Sequence, residues 1–278
     1  MKINRKKLIT ITFILVLLLL SLFWMRWRPA RRFESSLPGE NEFRIATWNV
    51  GYFSAVKNKN VRDVDLNTIT EIIRTLNADV IILQELGSME HPKKILQGLG
   101  KEWSEYSVET GHGTQVLSII TKSRISSSEE FICGGRKIMT LSLMSRNGKS
   151  IYIAGVHSPH PARGKNNTVE NIRCALSHAI NRSEQVRIVA GDLNYNFDPQ
   201  DKDGLLYQEI MESFGDSTIG LGETYYAHTR IDHVFHYPKN LRLVEKRSGL
   251  VDLSPRFAKV PGFRDHRPIV VTYDLGGI

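Results

Sequence analysis

The run Val186-Arg187-Ile188-Val189-Ala190 passes without a break into Gly191-Asp192-Leu193-Asn194. Four of its five residues are apolar, and β-branched side chains dominate, so it reads as a core strand. Gly191 ends the run, and a carboxylate and a carboxamide follow two residues apart. Alternate residues of a strand point to the same side. Asp192 and Asn194 are therefore expected to project together from a strand end, at the rim of a sheet. Turns also favour Asp and Asn, so the pair gains meaning only if other strands end the same way.

The rest of the chain supplies such strands. "FRIATWNV" alternates and is rich in β-formers, and "ADVIILQEL" is an apolar strand that ends in Gln84-Glu85. "TQVLSIIT", "KIMTLSLMS" and "SIYIAGVHS" follow as strands with hairpin-like gaps, and "TRIDHVFHYP", "LRLVEKRS" and "RPIVVTYDL" close the chain. Between them, Leu66, Ile69, Ile72, Ile73 and Leu76 fall at helical spacing. "NTVENIRCALSHAI" and "GLLYQEIMESF" are two further helices. βαβ units mixed with runs of adjacent strands imply an α/β domain with a mixed, largely antiparallel pair of sheets covered by helices.

The N-terminus follows different rules. "MKINRKK" precedes an uncharged run from Leu8 to Met25, and "RWRPARR" follows it. At 1.5 Å per residue such a run just crosses a hydrocarbon core about 30 Å thick. Phe23-Trp24-Met25-Arg26 offers no small-residue cleavage site, so residues 1–28 are expected to be an uncleaved membrane anchor. Trp24 and Trp27 would sit at the interface. Residues 29–42 mix Pro, Gly, Ser and charge and read as a linker; residues 43–278 show no second break and form one catalytic domain. Basic residues flank both ends of the apolar run, so charge leaves the orientation open. A short tail inside and the large domain outside is the simpler topology, which makes the chain a single-pass membrane protein with an extracytoplasmic domain.

Net charge is +8, and eight of the basic residues flank that run. The remainder is near neutral, so basicity marks a lipid-facing segment rather than a nucleic-acid-binding surface. The two cysteines, Cys133 and Cys174, make no disulfide framework and lack metal-site spacing, and read as buried apolar residues. No protein partner can be inferred.

The polar ends share one chemistry. "ATWNV" delivers Asn49, "IILQEL" Glu85, "IAGVHSPH" His157, "VAGDLN" Asp192 and Asn194, and "RIDHVF" Asp232, while "RDHRP" adds Asp265 and His266. Each residue alone has an ordinary structural explanation. Together they are oxygen donors for a hard divalent cation and a histidine that a carboxylate can orient. Those are the parts of a phosphoester hydrolase: a metal, a base for water, and donors for a pentacoordinate phosphate.

"TWNV", "LQEL", "VHS", "GDLN", "RIDHVF" and "DHRP", in this order from Phe43 to Leu275, closely resemble the motifs of the endonuclease/exonuclease/phosphatase superfamily, the DNase I-like fold. The resemblance implies a four-layered sandwich of two packed mixed β-sheets flanked by helices. It implies Mg2+ or Mn2+ at Asn49 and Glu85, with Asp265 tied to metal or water. Asp192 would align or deprotonate the attacking water, Asn194 and His157 would contact phosphate, and Asp232 would orient His266, which meets the phosphorane or serves as acid/base. Family members differ on one metal or two, and on whether the aspartate or the histidine is the base; Asp192 is assigned here because a carboxylate beside a metal-polarised water can act near neutral pH.

Two departures bear on substrate. Arg264 replaces the usual serine before the Asp-His pair and could grip an additional phosphate. The inositol-polyphosphate phosphatase signatures are missing. The expected function is a membrane-anchored phosphoesterase hydrolysing phosphodiester bonds of nucleic acid or a phospholipid headgroup, with the bilayer engaged through residues 8–25. A phosphomonoesterase on inositol or sugar phosphates, and an inactive membrane-tethered binding module, are the alternatives.

Overall fold

A computed structural model describes residues 33, 35–51, 63–111, 115–197, 204–225, 229–251, 253 and 266–278. The expected membrane run, Arg264 and Asp265 lie outside the described residues. Among those described, no helix is long and apolar enough to cross a membrane.

Two βαβ units form the centres of two sheets. In the first, β1 (Glu42–Asn49) and β2 (Val80–Leu86) run parallel and are joined through α1 (Asp63–Leu76). In the second, β7 (Ser150–His157) and β8 (Val186–Asp192) run parallel and are joined through α3 (Lys165–Ile180). Every other pairing is antiparallel. The first sheet extends through β4 (Val116–Thr121) to β3 (Ser104–Glu109) on one side. On the other side lies β13 (Ile269–Asp274), whose outer edge carries β11 (Arg242–Leu243) and β12 (Gly249–Leu250). The second sheet runs in the order β5 (Arg124–Cys133), β6 (Arg136–Met144), β7, β8, β10 (Asp232–Tyr237) and β9 (Gly215–Asp216).

Side-chain parity sorts these strands into layers. Ala46, Trp48, Ile81 and Leu83 point outward and pack on Leu66, Ile69, Ile72, Ile73 and Leu76 of α1 and on Ile95 and Leu99 of α2 (Glu90–Leu99). Burying each aliphatic side chain contributes about 1.5–3 kcal/mol. Tyr152, Ala154, Val156 and Val189 pack likewise on Ile172, Ala175, Leu176 and Ala179 of α3, and on Leu206 and Ile210 of α4 (Gly204–Ser213). The intervening positions of both sheets face each other. Gly155 brings them close, for a Cβ there would lie 3.2 Å from Ile82 and 3.1 Å from Ile119. Two packed mixed sheets with flanking helices result.

Four features depart from the sequence reading. The helix α2 and the strands β3 and β5 carry too many polar residues to reveal themselves by periodicity. "LRLVEKRS" keeps only two strand residues before a 3-10 turn at Glu245–Arg247. Phe33 and Ser35–Asn41, read as linker, lie along the domain: the Phe33 amide donates to the Leu250 carbonyl, and Ser36 accepts from the buried Arg44 guanidinium. Finally, Cys133 and Cys174 are neither buried nor unpaired. They form a disulfide with 6.3 Å between Cα atoms. Their separation of 41 residues carries no pairing signal, and only the packing of the β5 end on α3 brings them together.

Gly191 does not end the strand β8, which continues to Asp192, and its place there has a steric reason. Gly191 sits at φ 149°, and a Cβ there would lie 1.9 Å from the Val156 carbonyl oxygen of β7. Gly191→Ala must therefore separate β7 from β8 and should lower stability by more than about 2 kcal/mol. Gly155→Ala meets only side-chain atoms and should cost less. Urea unfolding of both variants checks the order; equal midpoints would contradict it.

Candidate active site

Both βαβ units deliver their carboxyl ends to one place. Asn49 ends β1, His157 ends β7 and Asp192 ends β8; all three share the parity of inward-facing neighbours such as Ile45, Ile153 and Ile188. Asp232 opens β10 directly opposite Asp192 in the antiparallel register. All four are at most 3% exposed, so their polar groups must satisfy one another.

They do so across the two sheets. Asn49 Nδ2 donates to Asp192 Oδ2 at 2.8 Å, and its Oδ1 accepts the Gly51 amide at 3.0 Å. Asp192 Oδ1 accepts the Asn194 amide at 2.8 Å, while Asn194 Nδ2 donates to the Ser158 carbonyl at 3.0 Å and more distantly, at 3.3 Å, to Asp192 Oδ2. His266 donates Nδ1–H to Asp232 at 2.8 Å and turns Nε2 toward Asp192 Oδ2 at 3.8 Å. His157 Nε2 lies 3.6 Å from Glu85 Oε1 and 3.7 Å from Asp192 Oδ2.

Glu85 reaches this group by breaking parity. An unbroken β2 would aim Gln84 at the site and Glu85 at the helices. The pairing of β2 with β4 shifts register between Leu83 and Leu86, and Glu85 itself adopts φ 60°. Asn194 is also left-handed, at φ 49°. Such backbone conformations in non-glycine residues carry strain and cluster at functional sites.

Electrostatics separates the titrating groups. Burial pushes the Asp192 carboxyl up to about 7, against the pull of His266 and with the push of Asp232. Burial alone would lower His266, but Asp232 and then Asp192 outweigh it and raise the imidazole to about 9. The two groups are thus pushed the same way for opposite reasons: burial raises the Asp192 carboxyl, and neighbouring carboxylates raise the His266 imidazole.

Three carboxylates, Glu85, Asp192 and Asp232, thus converge with two imidazoles and the Asn49 amide. The oxygen donors fit a hard divalent cation. Asp192, Asp232 and His266 also lie close enough to hold an ion. Because Asp232 occupies His266 Nδ1, however, that trio is first of all a carboxylate–histidine dyad beside a second acid, Asp192. Glu85 and Asn49 carry oxygen atoms of the kind such a cation takes.

The sequence reading passed over several supports. Thr224 Oγ1 accepts the backbone amides of Ile231 and Asp232, and the Thr224 carbonyl accepts that of Arg267, so one residue clasps both halves of the dyad. The Tyr225 ring packs 4.8 Å from that of His266. A second acid–imidazole pair, Asp216 and His233, lies at 3.4 Å with His233 stacked on Phe235, on the helix-covered face of β10. Nothing in the spacing of Asp216 or Thr224 signals these contacts.

The dyad sets a titration that NMR can follow in metal-free protein. The charge interaction stabilises the fold fully below about pH 6.5 and is lost as pH climbs through about 9. Asp232→Asn keeps the burial but removes the main charge that raises the imidazole, so His266 should titrate well below its wild-type position. An unchanged His266 titration would contradict the dyad.

Comparisons with known proteins agree with this fold. No curated protein matches the chain. Among solved structures, an endonuclease/exonuclease/phosphatase from Beutenbergia cavernae superposes with a TM-score of 0.66 at 20% identity, covering 85% of this chain and 72% of that one. D. rerio TDP2 complexed with a single-strand DNA product gives 0.66 at 16% identity, covering 84% and 98%. The Bacteroides thetaiotaomicron mannosyl-6-phosphatase gives 0.64 at 16%, covering 82% and 98%. These likenesses are likenesses of fold. The model of the Endonuclease/Exonuclease/phosphatase family matches residues 46–254, from the strand that carries Asn49 to beyond the one that carries Asp232, and the chain belongs to that family.

Proposed function

We propose that the chain is a membrane-anchored, Mg2+- or Mn2+-dependent phosphodiesterase. The observation that carries this reading is the convergence of Asn49, Glu85, His157, Asp192, Asn194 and the Asp232–His266 dyad at the ends of two βαβ units. Glu85 and Asn49 would hold the cation, which when bound polarises a phosphoryl oxygen and the attacking water. Asp192, raised toward neutrality by burial, takes the proton of that water. His266, its proton favoured by Asp232, would face the negative charge that develops on the phosphate oxygens as the P–O bond to the leaving group breaks. Asn194 Nδ2, held by the Ser158 carbonyl at 3.0 Å and only distantly by Asp192 at 3.3 Å, would donate its second N–H to a phosphate oxygen. His157 lies between Glu85 and Asp192 and completes the donor set. Arg264 would hold a further phosphate and Asp265 would support metal or water; both roles rest on the sequence alone.

Placement outside the cytoplasm is supported by the Cys133–Cys174 disulfide, since such bonds persist in oxidising compartments. The neighbours' names span a DNA product and a sugar phosphate, so substrate choice is a matter for assay. The full chain in detergent should hydrolyse bis-p-nitrophenyl phosphate in Mg2+, faster than p-nitrophenyl phosphate, and lose turnover in EDTA. Absence of EDTA-sensitive turnover on either compound would refute the enzyme and favour the binding module; preference for the monoester would move the reading to a phosphomonoesterase.

Substitutions divide the roles. Glu85→Gln loses the anionic ligand and should show lost activity partly restored by excess Mg2+. Asp192→Asn and His266→Ala should each lower kcat on the order of 10²-fold or more. Asp232→Asn should cost less, and the double variant of Asp232 and His266 should be no worse than His266→Ala, because the carboxylate acts through the imidazole. Wild-type rates for Glu85→Gln at limiting Mg2+, or strict additivity in the cycle, would refute these assignments.

The anchor predicts a substrate-dependent effect. Removing residues 1–30, which leaves Phe33 in its place on the domain, should lower turnover of vesicle-embedded phospholipid far more than turnover of a soluble diester. Plasmid nicking that is equal with and without those residues, and no lipid turnover, would instead identify a tethered nuclease.

A further inference from the structure

Helix α3 covers the second sheet, and one of its buried residues also reaches the candidate site. Asn171 is fully buried and bonded on both sides of its amide. Its Nδ2 donates to the Cys133 carbonyl at 2.6 Å, and its Oδ1 accepts the Ser158 hydroxyl at 2.9 Å. Ser158 directly follows His157 and forms the corner where β7 ends. The Ser158 amide donates to the Asp192 carbonyl at 2.9 Å, and the Ser158 carbonyl holds Asn194 Nδ2 at 3.0 Å. One turn earlier in α3, Thr168 Oγ1 donates to the Pro159 carbonyl at 2.7 Å. The helix therefore grips the corner at two successive residues.

The other end of the Asn171 bridge is fastened covalently. Cys133, whose carbonyl Asn171 holds, is disulfide-bonded to Cys174, three residues beyond Asn171 on the same helix. Gly134 lets the strand end press against that helix: it sits at φ 57°, and a Cβ there would lie 2.1 Å from the Asn167 carbonyl oxygen and 2.8 Å from the Asn171 amide nitrogen. Arg136, at the start of the following strand, donates to the His157 carbonyl at 3.1 Å. Cys133 itself lies at the end of an edge strand whose neighbour Ile132 is 70% exposed, the kind of place where a sheet frays first.

We propose that Asn171, fastened by the Cys133–Cys174 disulfide, is a positioning residue for the Ser158 corner and, through it, for Asn194 and His157. Asn171 touches no reacting atom in this account. It fixes the corner whose carbonyl orients the Asn194 amide, so its loss tilts a phosphate donor rather than removing one, and small misplacements of such groups are costly to turnover. The disulfide keeps the Cys133 carbonyl on Asn171 when the edge strand opens. The proposal rests on the reading of the site as a phosphodiesterase centre, but its geometry has a readout independent of activity.

The test uses the full chain in detergent, well below its unfolding temperature. Asn171→Leu breaks both bonds, and Ser158→Ala removes only the hydroxyl that meets Asn171 and is the milder change. Both should shift the Asn194 side-chain amide resonances in 1H–15N spectra. On bis-p-nitrophenyl phosphate both should lower kcat, Asn171→Leu by about tenfold or more, with little change in Mg2+ requirement. Reduction with TCEP should shift the same resonances and lower kcat in the wild type, and should change nothing in the Cys133→Ser/Cys174→Ser variant, which starts at the reduced level. Unmoved Asn194 resonances and wild-type kcat in Asn171→Leu and Ser158→Ala would overturn the proposal, as would wild-type indifference to reduction once the thiols are shown to be free. Shifted resonances in a protein without phosphodiesterase activity would uphold the positioning and refute the function.

Discussion

The hydrogen bond from Asn49 to Asp192 joins the two sheets where both of their parallel centres end. Asp192 is 1% exposed, and a carboxylate so placed is tolerated only with partners. Each partner comes from a different segment: Asn49 from the first sheet, the Asn194 amide from the loop beyond β8, and His266 from the strand-like bridge before β13. The carboxylate therefore makes the positions of those segments interdependent. Its cost of burial also pushes its pKa up to about 7, so the constraint that organises the site also tunes its acid. Asp232 and His266 show the opposite balance, for there paired charge outweighs burial and the imidazole keeps its proton.

The sequence made most of this arrangement legible through a single rule. Strand side chains alternate, so an apolar run that ends in a polar residue of inward parity points that residue into the space between sheets. Asn49, His157 and Asp192 obey the rule. The family resemblance then ordered them in one site. Where the rule breaks, physical causes that periodicity cannot express take over. Glu85 has the wrong parity and arrives only through a register shift and a left-handed backbone. Edge strand β5 and helix α2 face solvent on much of their surface, which erases the apolar pattern that reveals buried elements. Thr224, Asn171 and the Cys133–Cys174 pair act across long sequence separations, through contacts that exist only once the helices are seated.

Support around the site is asymmetric in kind. The Asp232–His266 dyad is clasped by Thr224 through backbone amides, whereas the corner carrying His157 and Asn194 is backed by a buried amide and a disulfide. Phe33 is bound along Leu250 at the edge of the first sheet.

The central claim is that the ends of two sheets assemble one cation site from oxygen ligands, with the dyad standing beside it. Anomalous diffraction from crystals of the protein soaked in Mn2+ tests it most directly. The account predicts a peak bound by the Glu85 carboxylate and Asn49 Oδ1, with His266 still bonded to Asp232. A peak held by Asp192, Asp232 and His266 with the dyad broken, or no peak at millimolar Mn2+, would contradict it.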